Sequence, residues 1–117
     1  MRSFFSFLSI ILLLTGCYSA PDIKGFDSEK WANDPQTCEG YRLKSAREIL
    51  ENENSTENLL GSNQNEVKAL FGDPEKHQLF NRNQKFFFYE LDCSNEKQLS
   101  IRFDALGRVK ELQIIEI

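Results

Sequence analysis

This sequence contains three cysteines and a single histidine, residue types that can do nucleophilic, redox or metal chemistry. They are Cys17, Cys38, Cys93 and His77. A thiolate is both a nucleophile and a metal ligand, and two thiols can form a disulfide. The two later cysteines are not in a Cys-x-x-Cys pair, and His77 brings one further ligand where a structural zinc site needs four. We therefore predict no metal site and no cofactor.

Cys17 follows a segment with the layout of a secretory signal. One basic residue, Arg2, precedes an apolar run over 4–14, and the small residues Thr15 and Gly16 come directly before the cysteine. The stretch from Leu14 to Cys17 resembles a bacterial lipobox. That resemblance implies that residues 1–16 are a signal peptide and that Cys17 carries a thioether-linked lipid. The alternatives are an ordinary signal peptide with a chance cysteine, or a membrane anchor, although a span needs about 20 apolar residues.

A lipid at Cys17 would place the mature chain in the cell envelope. Each buried methylene contributes about 0.8 kcal/mol, so two or three acyl chains anchor a protein stably. Tyr18 follows the cysteine where an Asp would signal retention in the inner membrane of enteric bacteria. We therefore expect attachment to the outer membrane, facing the periplasm. The net charge of −4 argues against nucleic acid as a partner and against charge-driven binding of anionic lipid.

The remaining cysteines, Cys38 and Cys93, form an even pair outside the cytoplasm, which favours a disulfide. The bond would close a loop of about 56 residues and contribute about 4 kcal/mol by the chain-entropy argument. Two unpaired structural thiols, or a reactive thiol or metal site with His77, are the alternatives.

The chain divides into a predicted signal peptide over 1–16, a lipidated tether over 17–36 and a domain over 37–117. Between 18 and 33 there is no sustained periodicity, which indicates an extended tether. Trp31 in this stretch either docks onto the domain or anchors a partner. Apolar spacing predicts a first helix over 43–53, with a buried stripe at Leu43, Ala46, Ile49 and Leu50. The polar residues 52–58 indicate a loop.

The second helix has strong boundary signals. Asn63 is a good N-cap, and Glu66 three residues later completes a capping box. Val67, Leu70 and Phe71 form the apolar stripe. Gly72 fits a left-handed C-cap, and Pro74 prevents further helix.

Three strands follow, over 85–92, 98–104 and 109–117, and short links make them an antiparallel meander. Whether residues 77–80 add a further short segment is left open. Gly107 fits a positive φ in the last turn. If Leu91 opposes Leu99 and Ile101 opposes Leu112, one face is apolar throughout. Its residues are Phe87, Tyr89, Leu91, Leu99, Ile101, Phe103, Leu112 and Ile114. The opposite face then carries Phe86, Phe88 and Ile115, which we predict to bind a partner.

Several of these residues together resemble a known family. Gly61, Asn63, Val67, Leu70 and the Phe71-Gly72-Asp73-Pro74 run resemble the helix motif of the SmpA/OmlA (BamE-like) family of small outer-membrane lipoproteins. Tyr89 in an aromatic strand, and the later stretches 101–104 and 107–109, resemble the strands of that family. The resemblance implies an α+β fold in which two N-terminal helices pack on one face of a three-stranded antiparallel meander sheet, in the order ααβββ.

The predicted function is non-enzymatic, since His77 has no recognisable nucleophile beside it and the glycines form no phosphate-binding loop. The lipid anchor and the aromatic sheet face indicate a protein-binding or scaffold module of the cell envelope. The family resemblance implies an accessory role in outer-membrane β-barrel assembly. The alternative is an inhibitor or binder of a soluble envelope enzyme or small ligand, like β-lactamase inhibitors of similar architecture. A structural protein that contacts peptidoglycan is a third hypothesis.

Overall fold

The computed structural model describes residues 20–80 and 84–117. Cys17 and the predicted signal peptide lie outside this part of the chain. Within the described residues, four helices are followed by four strands: α1 Ser28–Thr37, α2 Tyr41–Glu51, α3 Glu53–Leu59, α4 Gln64–Phe71, β1 Lys76–Phe80, β2 Gln84–Glu90, β3 Lys97–Phe103 and β4 Val109–Glu116.

The strands form one antiparallel sheet in the order β1-β2-β3-β4, so each strand pairs with its neighbour in sequence. The buried residues of the four helices and of one sheet face make a single hydrophobic core. The fold is therefore α+β, as expected. The predicted ααβββ arrangement of two helices and three strands is wrong.

Helix α1 forms in the stretch for which we predicted an extended tether. The Asp27 side chain caps its start by accepting hydrogen bonds from the N–H groups of Glu29 and Lys30. Trp31 is completely buried, whereas most other side chains of the helix are exposed. One large anchor produces no hydrophobic periodicity, which is why the sequence pattern did not predict this helix.

Helix α3 occupies the polar stretch that we predicted to be a loop. Asn52 ends α2, and its side chain accepts from the N–H groups of Asn54 and Ser55 to cap α3. Only Ser55 and Leu59 of this helix are buried. Capping and the burial of Leu59 against the core stabilise a segment that lacks an apolar stripe.

Strand β1 is additional to the three predicted strands. It lies at the edge of the sheet and pairs with β2 from Lys76 opposite Phe88 to Phe80 opposite Gln84. It corresponds to the segment left open over 77–80. Leu79 shares the inner face with Phe87 by strand alternation, yet it is 70% exposed. The helical layer therefore leaves the inner side of β1 uncovered at Leu79.

The predicted register between β3 and β4 is confirmed, with Ile101 opposite Leu112 and Leu99 opposite Ile114. The register predicted between β2 and β3 is wrong by two residues, because Leu99 lies opposite Tyr89 and not Leu91. A shift of two residues keeps every side chain on its original face. The predicted apolar face is therefore confirmed: its residues on β2, β3 and the adjoining Leu91 are buried, and Leu112 and Ile114 pack against the core.

The boundaries predicted for the second helix are confirmed in α4. The Asn63 side chain accepts from the Glu66 N–H at 2.8 Å, and the Glu66 carboxylate accepts from the Asn63 N–H at 3.1 Å. Gly72 has a positive φ of 79°, but its ψ of −170° lies outside the left-handed helical region. Val67, Leu70 and Phe71 face the core as expected.

Trp31 lies at the centre of an aromatic cluster beneath the helices. Its ring centroid is 4.7 Å from that of Phe71 and 6.0 Å from that of Tyr89. Phe26 adds a further ring at 5.6 Å. Of the two roles considered for Trp31, the structure shows packing onto the domain. This packing brings residues 23–37 into the same core as the sheet.

Candidate interaction surface

The outer face of the sheet carries the three residues predicted to bind a partner. Strand alternation places Phe86, Phe88 and Ile115 opposite the buried face. All three are partly buried. Among the residues described, none of them belongs to the core or to the hydrophobic residues packed on it. These side chains therefore belong to a different surface from the one that the helices cover.

Phe86 and Phe88 form a stacked pair on this face. They are two residues apart on β2, so their side chains point the same way. Their ring centroids are 5.9 Å apart with an interplanar angle of 10°. The two neighbouring rings make a continuous, partly exposed apolar patch, which is the kind of surface that a protein partner can bury.

Polar and cationic residues border the stacked pair. Phe86 lies between Gln78 on β1 and Arg102 on β3, and Phe88 lies between Lys76 and Ser100. The Arg102 guanidinium lies 3.8 Å from the Glu111 carboxylate of β4. Ser100 is 3% exposed, so the accessible polar border of the pair consists of Lys76, Gln78 and Arg102. An apolar centre with a polar rim is the arrangement typical of protein–protein contacts.

Ile115 shares the outer face but does not adjoin the phenylalanines. It pairs with Gln98 on β3, and β3 separates it from β2. Adjacent strands lie about 4.8 Å apart, so Ile115 is about 10 Å from β2 across the sheet. The structure therefore brings together two of the three predicted contact residues. Their role in partner binding stays a prediction.

Cys38 and Cys93 form a disulfide, with Cα atoms 5.8 Å apart. Cys38 follows α1 with a left-handed backbone at φ 56°, and its N–H donates to the Asp34 carbonyl. Cys93 lies between β2 and β3. The bond therefore ties the end of α1 to one end of the sheet, and both cysteines are exposed.

A buried arginine lies near this disulfide, and sequence reasoning missed it. The Arg42 side chain is 7% exposed. Its Nε donates to the Trp31 carbonyl at 2.8 Å, and its Nη1 donates to the Glu90 carbonyl at 3.0 Å and to the Glu75 carboxylate. The guanidinium carbon lies 5.0 Å from the Trp31 ring centroid. These contacts connect α1, α2 and the sheet through one side chain.

Asp34 completes the polar part of this region. It is 4% exposed, and its carboxylate accepts from the backbone N–H groups of Tyr41 and Arg42. Arg42 lies four and seven residues before Ala46 and Ile49, so helical spacing places all three on one face. That spacing is the signal by which the sequence could have indicated a buried arginine. The Arg42 contacts named here all hold parts of the fold together.

Among the titratable residues that the structure describes, Tyr89 has the pKa that departs furthest from its ordinary value. Its hydroxyl donates to the Gly72 carbonyl at 2.8 Å. Burial raises the pKa of this hydroxyl far above its ordinary value of 10.0, and the negative charges of Glu75 and Asp73 raise it further. The phenol therefore stays protonated at physiological pH, and it serves as a hydrogen-bond donor.

Two surface grooves adjoin each other on the helical side. The larger, of 640 Å³, lies between residues 23–26 and the junction of α2 with α3, and the second, of 530 Å³, lies beside the start of α2. Gly25, Ser45 and Glu48 line both. No group of three or more His, Cys, Asp or Glu residues suited to a metal ion occurs in 20–80 and 84–117. His77 is exposed on β1.

Comparison of the chain with protein families, with curated proteins and with solved structures finds no match. Membership of the SmpA/OmlA family therefore stays a prediction. Among the helices described, none is long and apolar enough to cross a membrane.

Proposed function

We propose that this chain is a lipid-anchored protein of the bacterial cell envelope that binds another envelope protein and catalyses no reaction. The observation that carries the proposal is the stacked pair of Phe86 and Phe88 on the sheet face opposite the core. Contiguous apolar surface with a polar rim marks interaction sites on small proteins.

The anchor and the surface have complementary roles in this proposal. A lipid at Cys17 confines the domain to one membrane and raises its effective concentration near proteins of that membrane. A contact as small as two rings and their neighbours then suffices for binding, although it would be weak between freely diffusing molecules. The specific role that we propose is accessory support of outer-membrane β-barrel assembly.

Affinity purification from gently solubilised membranes tests this function. The tagged full-length chain is compared with the double variant Phe86→Ser/Phe88→Ser. The control is Leu79→Ser, which removes an apolar side chain that is 70% exposed and lies on the other face of the sheet. We expect the wild type and the control to recover the same envelope protein, and the double variant to recover at least about tenfold less.

Equal recovery by all three chains would mean that the outer face is not the binding site. For the specific role, the recovered protein must be a component of the barrel-assembly machinery, and its repeated absence from the wild-type sample would contradict that role. Thermal melting of each variant shows whether a loss of binding reflects unfolding.

A further inference from the structure

We propose that the end of the domain that carries Leu60 and Leu106 contacts the lipid bilayer in which the chain is anchored. The surface, here called the leucine end, comprises these two leucines with Arg108 and Lys110 beside them. The inference rests on the proposed lipid at Cys17 and adds an orientation to it.

The attachment of the N-terminal segment to the domain limits how far the domain can lie from the membrane. The Asp22 carbonyl accepts a hydrogen bond from the Asn58 side-chain amide at 2.8 Å, and the next residue, Ile23, is 8% exposed. Cys17 precedes Asp22 by five residues. Because an extended chain spans at most about 3.6 Å per residue, the lipidated residue lies within about 18 Å of Asp22.

A chain of hydrogen bonds leads from Asn58 to the leucine end. The Ser62 hydroxyl donates to the Asn58 carbonyl at 3.3 Å, and the Gly61 N–H donates to the Val109 carbonyl at 2.9 Å. Residues 58–62 and the turn between β3 and β4 therefore lie side by side, at the end of the molecule where the anchored segment enters.

Both leucines are displayed to solvent at this end. Leu60 is 42% exposed at the end of α3, and Leu106 is 85% exposed at the tip of the turn. The Asp104 carboxylate accepts from the N–H groups of Leu106 and Arg108, which fixes the turn. A fixed turn presents the Leu106 side chain at little cost in conformational entropy.

The charges nearby suit the surface of a bilayer. Arg108 is exposed, and its guanidinium donates to the Gly61 carbonyl at 3.0 Å, while Lys110 is exposed on β4. Cationic side chains beside apolar ones match the phosphate and acyl layers of a membrane interface. In this orientation the strands run away from the membrane. The outer sheet face then points sideways, towards proteins of the same membrane.

The opposite end of the sheet provides a matched control. Ile117 is 75% exposed, and its N–H donates to the carbonyl of Glu96 in the turn between β2 and β3. It is as apolar as Leu106 and similarly exposed, yet it lies at the end of the sheet that also carries Cys93. Contact with the bilayer should therefore occur at 106 and not at 117.

The test uses the full chain purified from bacterial membranes, with the lipid at Cys17 verified by mass spectrometry. The variants Leu106→Trp and Ile117→Trp are reconstituted into phosphatidylcholine vesicles that contain brominated phosphatidylcholine. The wild type supplies the signal of the buried Trp31, which is subtracted. We expect the tryptophan at 106 to lose at least about half of its emission to bromine quenching, and the tryptophan at 117 to lose little.

Equal quenching at both positions, or none at 106, overturns the proposal while the lipid and the proposed function stand. A blue shift at 106 without quenching means that a protein or a second copy of the chain covers this end, and it also overturns the proposal. Absence of the lipid contradicts the anchoring itself and therefore both proposals.

Discussion

Arg42 and Trp31 show how single side chains hold the helical layer on the sheet. Burying a guanidinium is costly unless its hydrogen bonds are replaced, and Arg42 finds acceptors in Trp31, Glu75 and Glu90. The Trp31 Nε1 is the buried side-chain polar atom for which the described part of the chain offers no acceptor. Such an atom costs about 1–3 kcal/mol, which the burial of the large ring offsets.

The contrast between Phe87 and Phe88 tests the assignment of the two sheet faces. Phe87 is 1% exposed, and its ring centroid is 4.7 Å from that of Phe103. We expect Phe87→Ala to lower the free energy of unfolding by about 3–5 kcal/mol, because it leaves a cavity in the core. Phe88→Ala, on the outer face, should lower it much less. Urea denaturation of both variants measures the difference. Similarly large losses of unfolding free energy in the two variants would contradict the assignment of Phe87 and Phe88 to opposite faces of the sheet.

Tyr89 makes stability depend on pH in the alkaline range. Burial raises the pKa of its hydroxyl above that of the unfolded chain, so the folded state keeps the proton after the unfolded state has lost it. Stability from this residue is therefore complete below about pH 10 and falls above it, by up to about 1.4 kcal/mol per pH unit.

The variant Tyr89→Phe should remove this alkaline slope. At neutral pH it should cost about 1 kcal/mol, because the hydrogen bond to the Gly72 carbonyl is lost. Urea denaturation of wild type and variant between pH 8 and about pH 11 measures both effects. An identical slope in the two proteins would show that other groups control alkaline unfolding.

At the scale of the elements, sequence patterns predicted the segments whose ends and buried face are indicated by residues within or next to the segment itself. Helix α4 has a capping box, an apolar stripe and a terminating glycine, and β3 has strict alternation, so both were predicted within one residue. Helices α1 and α3 bury few side chains each, and their caps alone did not distinguish them from loops. The β2–β3 register escaped prediction because a shift of two residues preserves the apolar face.

The same reasoning applies to the candidate surface. Alternation was enough to place Phe86, Phe88 and Ile115 on one face, because side-chain direction in a strand has a period of two. Their distances depend on strand order and register, which single-sequence patterns do not fix. Arg42 was missed because a charged residue on the buried side of a helix requires partners from distant elements, here Glu75 and Glu90.

The disulfide between α1 and the β2–β3 turn should be worth about 4 kcal/mol, since its cysteines are 55 residues apart in sequence. We expect Cys38→Ser/Cys93→Ser to lose this amount relative to the wild type in urea denaturation under oxidising conditions. Reductant should destabilise the wild type similarly and leave the variant unchanged. Two free thiols in the untreated protein, counted by alkylation, would contradict the bond.

The backbone of Cys38 allows a sharper version of this comparison. Its φ of 56° is costly for a residue with a side chain, by about 1–2 kcal/mol, but not for glycine. We expect Cys38→Gly/Cys93→Ser to be more stable than Cys38→Ser/Cys93→Ser by about 1 kcal/mol. A less stable glycine variant would show that this position leaves the left-handed region once the bond is removed.

At the scale of the whole molecule, the N-terminal segment belongs to the same core as the sheet. Ile23 and Trp31 are buried, and Phe26 packs against Phe71 with ring centroids 5.4 Å apart. Our predicted domain boundary at residue 37 would separate these residues from their contacts. The order of elements therefore has a consequence for any lipid at Cys17, because it leaves few residues between the anchor and the folded core.

Truncation tests how much the segment before residue 37 contributes to the stability of the fold. A chain of residues 37–117 keeps both Cys38 and Cys93 but loses Trp31, whose removal alone should cost about 3–5 kcal/mol. The loss of Ile23 adds a similar amount. The loss of Asp34 removes the carboxylate that accepts from the N–H groups of Tyr41 and Arg42. Together these losses approach the entire stability of a small domain, about 5–15 kcal/mol.

We therefore expect residues 20–117 to unfold cooperatively in urea, and residues 37–117 to show no cooperative transition and to bind a hydrophobic dye. Circular dichroism and dye fluorescence measure the two properties, and the longer chain is the matched control because it also lacks the lipid. A cooperative transition of undiminished midpoint in the shorter chain would establish 37–117 as an independent domain. The segment before it would then be a tether despite the burial of Trp31.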